Sequence, residues 1–288
     1  MTPGVESIFE TFKIGAGPSS SHSIGPQRAA RIFLARQPSP PAWVRVTLFG
    51  SLAETGRGHL TDQTIIRALY PTSCEIIWDS VTTDLPHPNT MHWEALETGD
   101  RVTDTWRVMS IGGGSLQDDH GPVAVAPVIV YPVRSIAEVI TWCEQHHRTF
   151  WQFVEQHEPD LWTRLDVVWQ AMRASVERGL RSTQHQLPGA LNLPRRAHTT
   201  WLRSHNLQSP QRDLAQLSAF ALAVAEENAD AGQIVTAPSC GPAGVVPGLL
   251  YYFETIKDMP REEILRALAI AGLFGSVIRA NASVSGAE

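Results

Sequence analysis

Residues 234–253 read Ile234-Val235-Thr236-Ala237-Pro238-Ser239-Cys240-Gly241-Pro242-Ala243-Gly244-Val245-Val246-Pro247-Gly248-Leu249-Leu250-Tyr251-Tyr252-Phe253. The start, Ile234-Val235-Thr236, has extended character. A loop holding Pro238, Gly241, Pro242 and Gly244 follows, and then an apolar run over 245–253 suited to the start of a buried helix. Pro247 is tolerated there because a first helical turn has no use for its missing N–H. Thr236, Ser239 and Cys240 put small polar groups beside free backbone N–H donors. Such a helix start suits an anion such as a substrate carboxylate. A tight Gly/Pro turn joining two core elements explains the same residues.

On either side of this stretch the pattern is helical. Upstream, 213–228 is an Ala/Leu-rich helix, expected to be buried on most of its surface. Downstream, 261–280 makes a final helix. Further upstream, Leu161, Leu165, Val168, Trp169, Met172 and Val176 recur at helical spacing within 160–180, and Gly179 is read as the stop. Ser135 followed by Glu138 is the signature of a capped helix start, expected over 135–144. The Pro/Gly/Arg-rich 187–201 is expected to be irregular.

Before residue 132 the period changes from helical to alternating. In Trp43-Val44-Arg45-Val46-Thr47-Leu48-Phe49, the residues Val44, Val46 and Leu48 share one face of a strand. Further strands are expected at 74–78, 105–111 and 123–131, with helices at 25–35 and 62–69. The expectation is therefore an α+β N-terminal domain, a mixed sheet with helices, over 1–132. An all-α domain over 133–288 follows it.

Composition narrows the class. The 288 residues are 43% hydrophobic and carry 23 Lys+Arg against 29 Asp+Glu, a formal net charge of -6. With no basic block, nucleic acid is not an expected partner. The opening Met-Thr-Pro-Gly-Val-Glu lacks the pattern of a signal peptide, and the apolar 264–278 is too short to span a bilayer and carries Arg266. A cytoplasmic protein without a membrane partner is expected. Cys74, Cys143 and Cys240 lie far apart, without the spacing of a disulfide framework or of a metal site held by this chain alone.

The chemistry-bearing residues of the first half lie in four loops. Gly15-Ala16-Gly17-Pro18-Ser19-Ser20-Ser21-His22-Ser23 places hydroxyls and an imidazole just before a helix, as a cradle for a small anion or as a Gly/Ser linker with a redundant cap. Within Gly50-Ser51-Leu52-Ala53-Glu54-Thr55-Gly56-Arg57-Gly58-His59-Leu60-Thr61-Asp62, His59 stands on a loop, exposed, where it can serve as a general base or be an ordinary surface histidine. His87-Pro88-Asn89-Thr90-Met91 and Ser110-Ile111-Gly112-Gly113-Gly114 complete the set.

Taken in order, these motifs resemble the iron–sulfur-dependent bacterial L-serine dehydratases (L-serine ammonia-lyases) of the single-chain β–α type. The carriers are Phe12-Lys13-Ile14-Gly15 with Gly17-Pro18-Ser19-Ser20-Ser21-His22, Phe49-Gly50-Ser51-Leu52, Thr55-Gly56-Arg57-Gly58-His59 with Thr61-Asp62, and Ser110-Ile111-Gly112-Gly113-Gly114. In the second half they are Glu177-Arg178-Gly179-Leu180, Leu187-Pro188-Gly189, Arg195-Arg196-Ala197, Glu226-Glu227-Asn228-Ala229 with Thr236-Ala237-Pro238-Ser239, and Asn281-Ala282-Ser283 with Ser285-Gly286-Ala287-Glu288.

The resemblance implies a small-acid-binding-like β domain and an α domain carrying a 4Fe-4S cluster with one open iron as Lewis acid. L-Serine would be dehydrated and deaminated to pyruvate and ammonia. It also implies His59 as the catalytic base, with Ser19, Ser20, Ser21, His22 and Thr236 holding substrate. The family's cluster cysteines lie beyond the Ser-Gly-Ala-Glu motif, so none of this chain's residues is expected to bind the cluster or a metal. An N-terminal piece, inactive by itself, is expected. Its partner would be a second copy in a homodimer or a missing C-terminal part or subunit. Two alternatives stay open: an amino-acid-binding regulatory protein that has lost the cluster, and a lyase acting on threonine or cysteine.

Overall fold

The computed structural model describes residues 4–123, 129–188 and 192–282. Its first elements are β1 (Val5–Glu6), α1 (Ile8–Thr11), β2 (Ile14–Ala16), a π-helical turn (Ser20–Ile24) and α2 (Gly25–Arg36). There follow β3 (Trp43–Phe49), α3 (Gly50–Thr55), α4 (Thr61–Leu69), β4 (Ser73–Asp79), β5 (Thr90–Leu96) and β6 (Val102–Ser110). Next come β7 (Leu116–Asp118), β8 (Gly121–Pro122), β9 (Ile129–Tyr131), α5 (Ile136–His146), α6 (Phe150–His157) and α7 (Leu161–Arg181). The last are α8 (Ala197–Ser204), α9 (Gln211–Ala229), β10 (Gln233–Val235), α10 (Val245–Ile256) and α11 (Arg261–Asn281). Two compact units result: Ala16–Ala126, and Met1–Gly15 combined with Pro127–Glu288.

The first unit is built on a six-stranded sheet in the order β4-β3-β5-β6-β7-β8. β3 and β4 are parallel because two helices, α3 and α4, carry the chain between them, whereas the later strands return antiparallel. Val44, Val46 and Leu48 are completely buried, as the alternation requires, and pack with Ala29, Phe33, Ile65 and Leu69 of the helices. Each such side chain stabilises the fold by roughly 1.5–3 kcal/mol. The central strand β5 is absent from the sequence expectation. Its run Thr-Met-His-Trp-Glu-Ala-Leu alternates only partly, and both of its neighbours in the sheet are distant or reversed in sequence. Of the expected strand over 123–131, residues 124–128 lie outside the described residues and Ile129–Tyr131 is extended.

The second unit is helical, with α7 and α11 through its middle. Its core includes Val5, Ile8 and Phe12 together with Val168, Trp169, Met172, Ile264 and Leu268. Residues 4–15 therefore pack with the helices. β1 pairs with β9, Val5 opposite Tyr131. Beside them the buried Glu158 accepts hydrogen bonds from Ser7 Oγ (3.0 Å), the Ile8 amide (2.9 Å) and Tyr131 OH (2.7 Å).

Ser135 caps α5 as expected, its hydroxyl accepting from the Glu138 amide at 3.3 Å. Two expectations change. Gly179 does not stop α7, which continues to Arg181. A Cβ at Gly179 would lie 2.2 Å from the Ala223 carbonyl oxygen, so the glycine is there to let α9 approach. The stretch expected to be irregular over 187–201 gives its last five residues to α8, anchored by Glu226, whose carboxylate accepts from the Arg196 and Ala197 amides. No described helix is long and apolar enough to cross a membrane.

Candidate active site

Within the sheet unit, four loops converge at one place. His22 Nε2 and Ser51 Oγ are 3.0 Å apart, the Ser51 amide donates to the Pro88 carbonyl (2.9 Å), and the Ser110 amide donates to the Asn89 carbonyl (3.0 Å). Gly112, Gly113 and Gly114 all have positive φ (100°, 56° and 73°), a turn that side chains would resist, and Arg28 Nη1 donates to the Gly114 carbonyl at 2.5 Å. All four motifs singled out in the first half thus meet.

Ser19 caps the π-helical turn, its hydroxyl accepting from the His22 amide (3.1 Å) and lying 3.4 Å from Ser21 Oγ. Ser20 contributes its carbonyl, which accepts from the Gly25 amide. Ser21 Oγ is 2.9 Å from His22 Nδ1. His22 is therefore a buried imidazole with a hydroxyl on each nitrogen. Its ring centroid lies 4.7 Å from that of His59, with the planes 41° apart.

His59 is half-buried rather than exposed on its loop. Its Nδ1 is 3.0 Å from the Thr55 carbonyl oxygen, which can only accept, so Nδ1 carries the proton. In the neutral ring this leaves the Nε2 lone pair free to act as a base. The neighbouring Arg57 guanidinium lies over the Trp78 ring at 4.5 Å.

His22 is held neutral. Burial, and secondarily the charge of a protonated His59, lower its pKa from 6.5 to about 4. The unfolded chain takes up a proton near pH 6.5 that the folded chain refuses until about pH 4. Stability from this group is therefore complete above pH 6.5 and falls as the pH drops toward 4. With solvent screening, the loss is about 2 kcal/mol. Urea midpoints at pH 7 and pH 4.5 check this, since His22→Gln is expected to flatten the difference.

Thr236 belongs to the helical unit. It is buried, and its hydroxyl both donates to the Thr11 carbonyl (2.5 Å) and accepts from the Lys13 amide (2.9 Å), while its own amide donates to the Lys13 carbonyl. These bonds hold the N-terminal segment and commit the hydroxyl's one proton. Sequence reasoning named Ser51, Asn89 and Ser110 only within motifs and gave none of them a role of its own. Asn89 Oδ1 and Ser110 Oγ are both buried without a hydrogen-bond partner. The signal was the pair of motifs that contain them.

The three cysteines are free thiols. Cys74 stands in β4 of the sheet unit, and Cys143 and Cys240 belong to the helical unit. Burial raises all three thiols above their usual range, Cys74 and Cys240 to about 12, which leaves them protonated at neutral pH. Among the described residues, no group of three or more His, Cys, Asp or Glu side chains is arranged to hold a metal ion.

A family model for the serine dehydratase alpha chain matches residues 88–288, and one for the serine dehydratase beta chain matches residues 7–77. The chain belongs to the serine dehydratase family. L-Serine dehydratase 2 of Escherichia coli is 34% identical, over 98% of this chain and 73% of that protein. L-Serine dehydratase of Haemophilus influenzae is also 34% identical, over 98% of this chain and 74% of its own length. The Streptomyces coelicolor L-serine dehydratase is 32% identical, over 98% and 73%. Both histidines of the pair lie in the serine dehydratase beta-chain match, whereas Asn89 and Ser110 lie in the alpha-chain match.

Proposed function

We propose that this chain acts in the dehydration and deamination of L-serine to pyruvate and ammonia, with His59 as the base. The carrying observation is the orientation of His59, whose Nδ1–H is committed to the Thr55 carbonyl while Nε2 has no hydrogen-bond partner among the described residues, beside a neutral His22. The family match supplies the substrate class.

Serine's α-proton is weakly acidic and is transferred to His59 Nε2. An imidazole suits this because its pKa lies near working pH. The C–O bond then breaks and the β-hydroxyl leaves as water by taking up the proton held at His59, giving aminoacrylate, which tautomerises to the imine and is hydrolysed by water to pyruvate and ammonia. His22, neutral down to about pH 4, does not compete for the transferred proton, and its Ser21 and Ser51 bonds keep it fixed. Ser19, Ser20 and Ser21 are the proposed donors to substrate. Thr236 is a separate proposed contact to substrate: its proton is committed to the Thr11 carbonyl, and the hydroxyl's second lone pair would accept.

The family resemblance implies a 4Fe-4S cluster. The cysteines present do not fit it: they are protonated, divided between the two units and outside any arranged ligand set. The reading includes a cytoplasmic setting. It also includes either a homodimer or a further C-terminal part or subunit as partner.

The test is anaerobic expression of the longest open frame that contains these residues, with iron and sulfide supplied. Release of the 2-oxo acid is then measured in parallel with calorimetry: pyruvate from L-serine and L-cysteine, 2-oxobutanoate from L-threonine. Pyruvate from L-serine at the highest kcat/KM supports the proposal. Heat of L-serine binding without pyruvate supports an amino-acid-binding protein instead. Preference for another of the three amino acids, or no binding at all, overturns it.

A further inference from the structure

Two hydroxyls outside the proposed catalytic and substrate-binding set link the histidines through their backbones. Ser23, next to His22, donates from Oγ to the His59 carbonyl at 2.8 Å. Thr61, two residues after His59, donates from Oγ1 to the His22 carbonyl at 2.5 Å. Each histidine's neighbour thus grips the backbone of the other, and Ser23 and Thr61 are both completely buried. Ser23 Oγ is further fixed by accepting from the Ser19 amide (3.2 Å). The segments so joined lead into different helices, α2 and α4, and among the described residues no strand pairing connects them. Buried hydroxyl-to-carbonyl bonds of this kind keep their geometry because water is not there to replace them.

We infer that Ser23 and Thr61 form a reciprocal lock, as positioning residues that hold the His22 and His59 rings against one another and keep His59 Nε2 turned toward its reactant. The inference rests on the reading of His59 as the base. A base displaced by an ångström loses much of its effectiveness, so each hydroxyl matters to the rate without touching substrate. The Oγ atoms themselves transfer no proton.

Histidine-selective nitrogen-15 labelling of the 288-residue chain reads the lock without any turnover. In the native chain, His22 is expected to titrate near pH 4 and neutral His59 to show the Nδ1–H tautomer. Ser23→Ala and Thr61→Val are each expected to raise the His22 midpoint by a unit or more and to mix the His59 tautomers. Thr61→Ser, which keeps the donor, is expected to restore both. Folded Ser23→Ala and Thr61→Val proteins with native titrations and tautomers overturn the inference. Should Thr61→Val not fold, Thr61→Ala is held to the same outcomes. If no variant folds, the pair is a core fastening and the positioning role falls. In the iron- and sulfide-supplied open-frame product, Thr61→Val is expected to lower kcat at least tenfold with KM within twofold, and Thr61→Ser to recover most of it. If the unsubstituted product makes no pyruvate, the lyase reading fails while the spectra still decide the lock.

Discussion

His59→Ala is expected to lower the rate of pyruvate formation from L-serine by about 10²–10⁴-fold, the usual contribution of a positioned general base. The prediction follows from tautomer rather than position alone. Because the Nδ1 proton is donated to the Thr55 carbonyl, the basic nitrogen of the neutral ring is Nε2. His22 is no substitute: both of its nitrogens are engaged by serines, and its pKa of about 4 makes it a poor proton acceptor at pH 7. The side chain is half-buried and makes one hydrogen bond, so the cost in stability is expected to stay near 1 kcal/mol. Removing His59 also removes a positive charge that lowers the His22 pKa, so the His22 midpoint should rise in the same variant. A steady-state pyruvate assay with a urea melt on the same preparation checks all three. Activity kept within tenfold would remove His59 from the base role.

Glu158→Ala is expected to destabilise the helical unit by about 3–5 kcal/mol, the largest effect on stability anticipated here. Glu158 is almost completely buried, and its two oxygens satisfy Ser7 Oγ, the Ile8 amide and Tyr131 OH, with Arg164 Nη1 3.9 Å away. Alanine would leave those three donors without an acceptor. Burial and the nearby carboxylate push the Tyr131 phenol above its usual range, so it stays a donor at any physiological pH. Glu158→Gln keeps an acceptor for part of the set and should cost less. The loss is expected in the urea transition of the helical unit, with the sheet unit's transition unmoved. A native-like midpoint in Glu158→Ala would refute the prediction.

How far the fold could be read from sequence varies with how local its cause is. Trp43–Phe49 was legible to the residue, since alternation and a one-sided core express the same thing. The Ser135 cap was legible because both partners lie within one turn. β5 was not, because a strand in mid-sheet answers to two neighbours rather than to its own pattern. Gly179 carries the same residue type as a helix stop, and only the approach of Ala223 reveals its purpose. In the site, the motifs named the loops that meet. The tautomer of His59 depends on the direction of the Thr55 carbonyl within its own motif, and the commitment of the Thr236 hydroxyl depends on the distant Thr11 carbonyl; a motif records neither orientation nor partner.

The division of the chain also sets an order of events during synthesis. Ile8 and Phe12 emerge first, yet their partners on α7 and α11 are made only after the whole of Ala16–Ala126. The sheet unit is continuous and complete before the helices exist, so it can fold on the ribosome while the leading segment waits unpartnered. The 126/127 junction is where the chain passes from the sheet unit to the residues that supply the rest of the helical core. Cutting the chain at the same junction would leave each piece faulty, one carrying an apolar N-terminal segment without its core and the other a core missing Val5, Ile8 and Phe12.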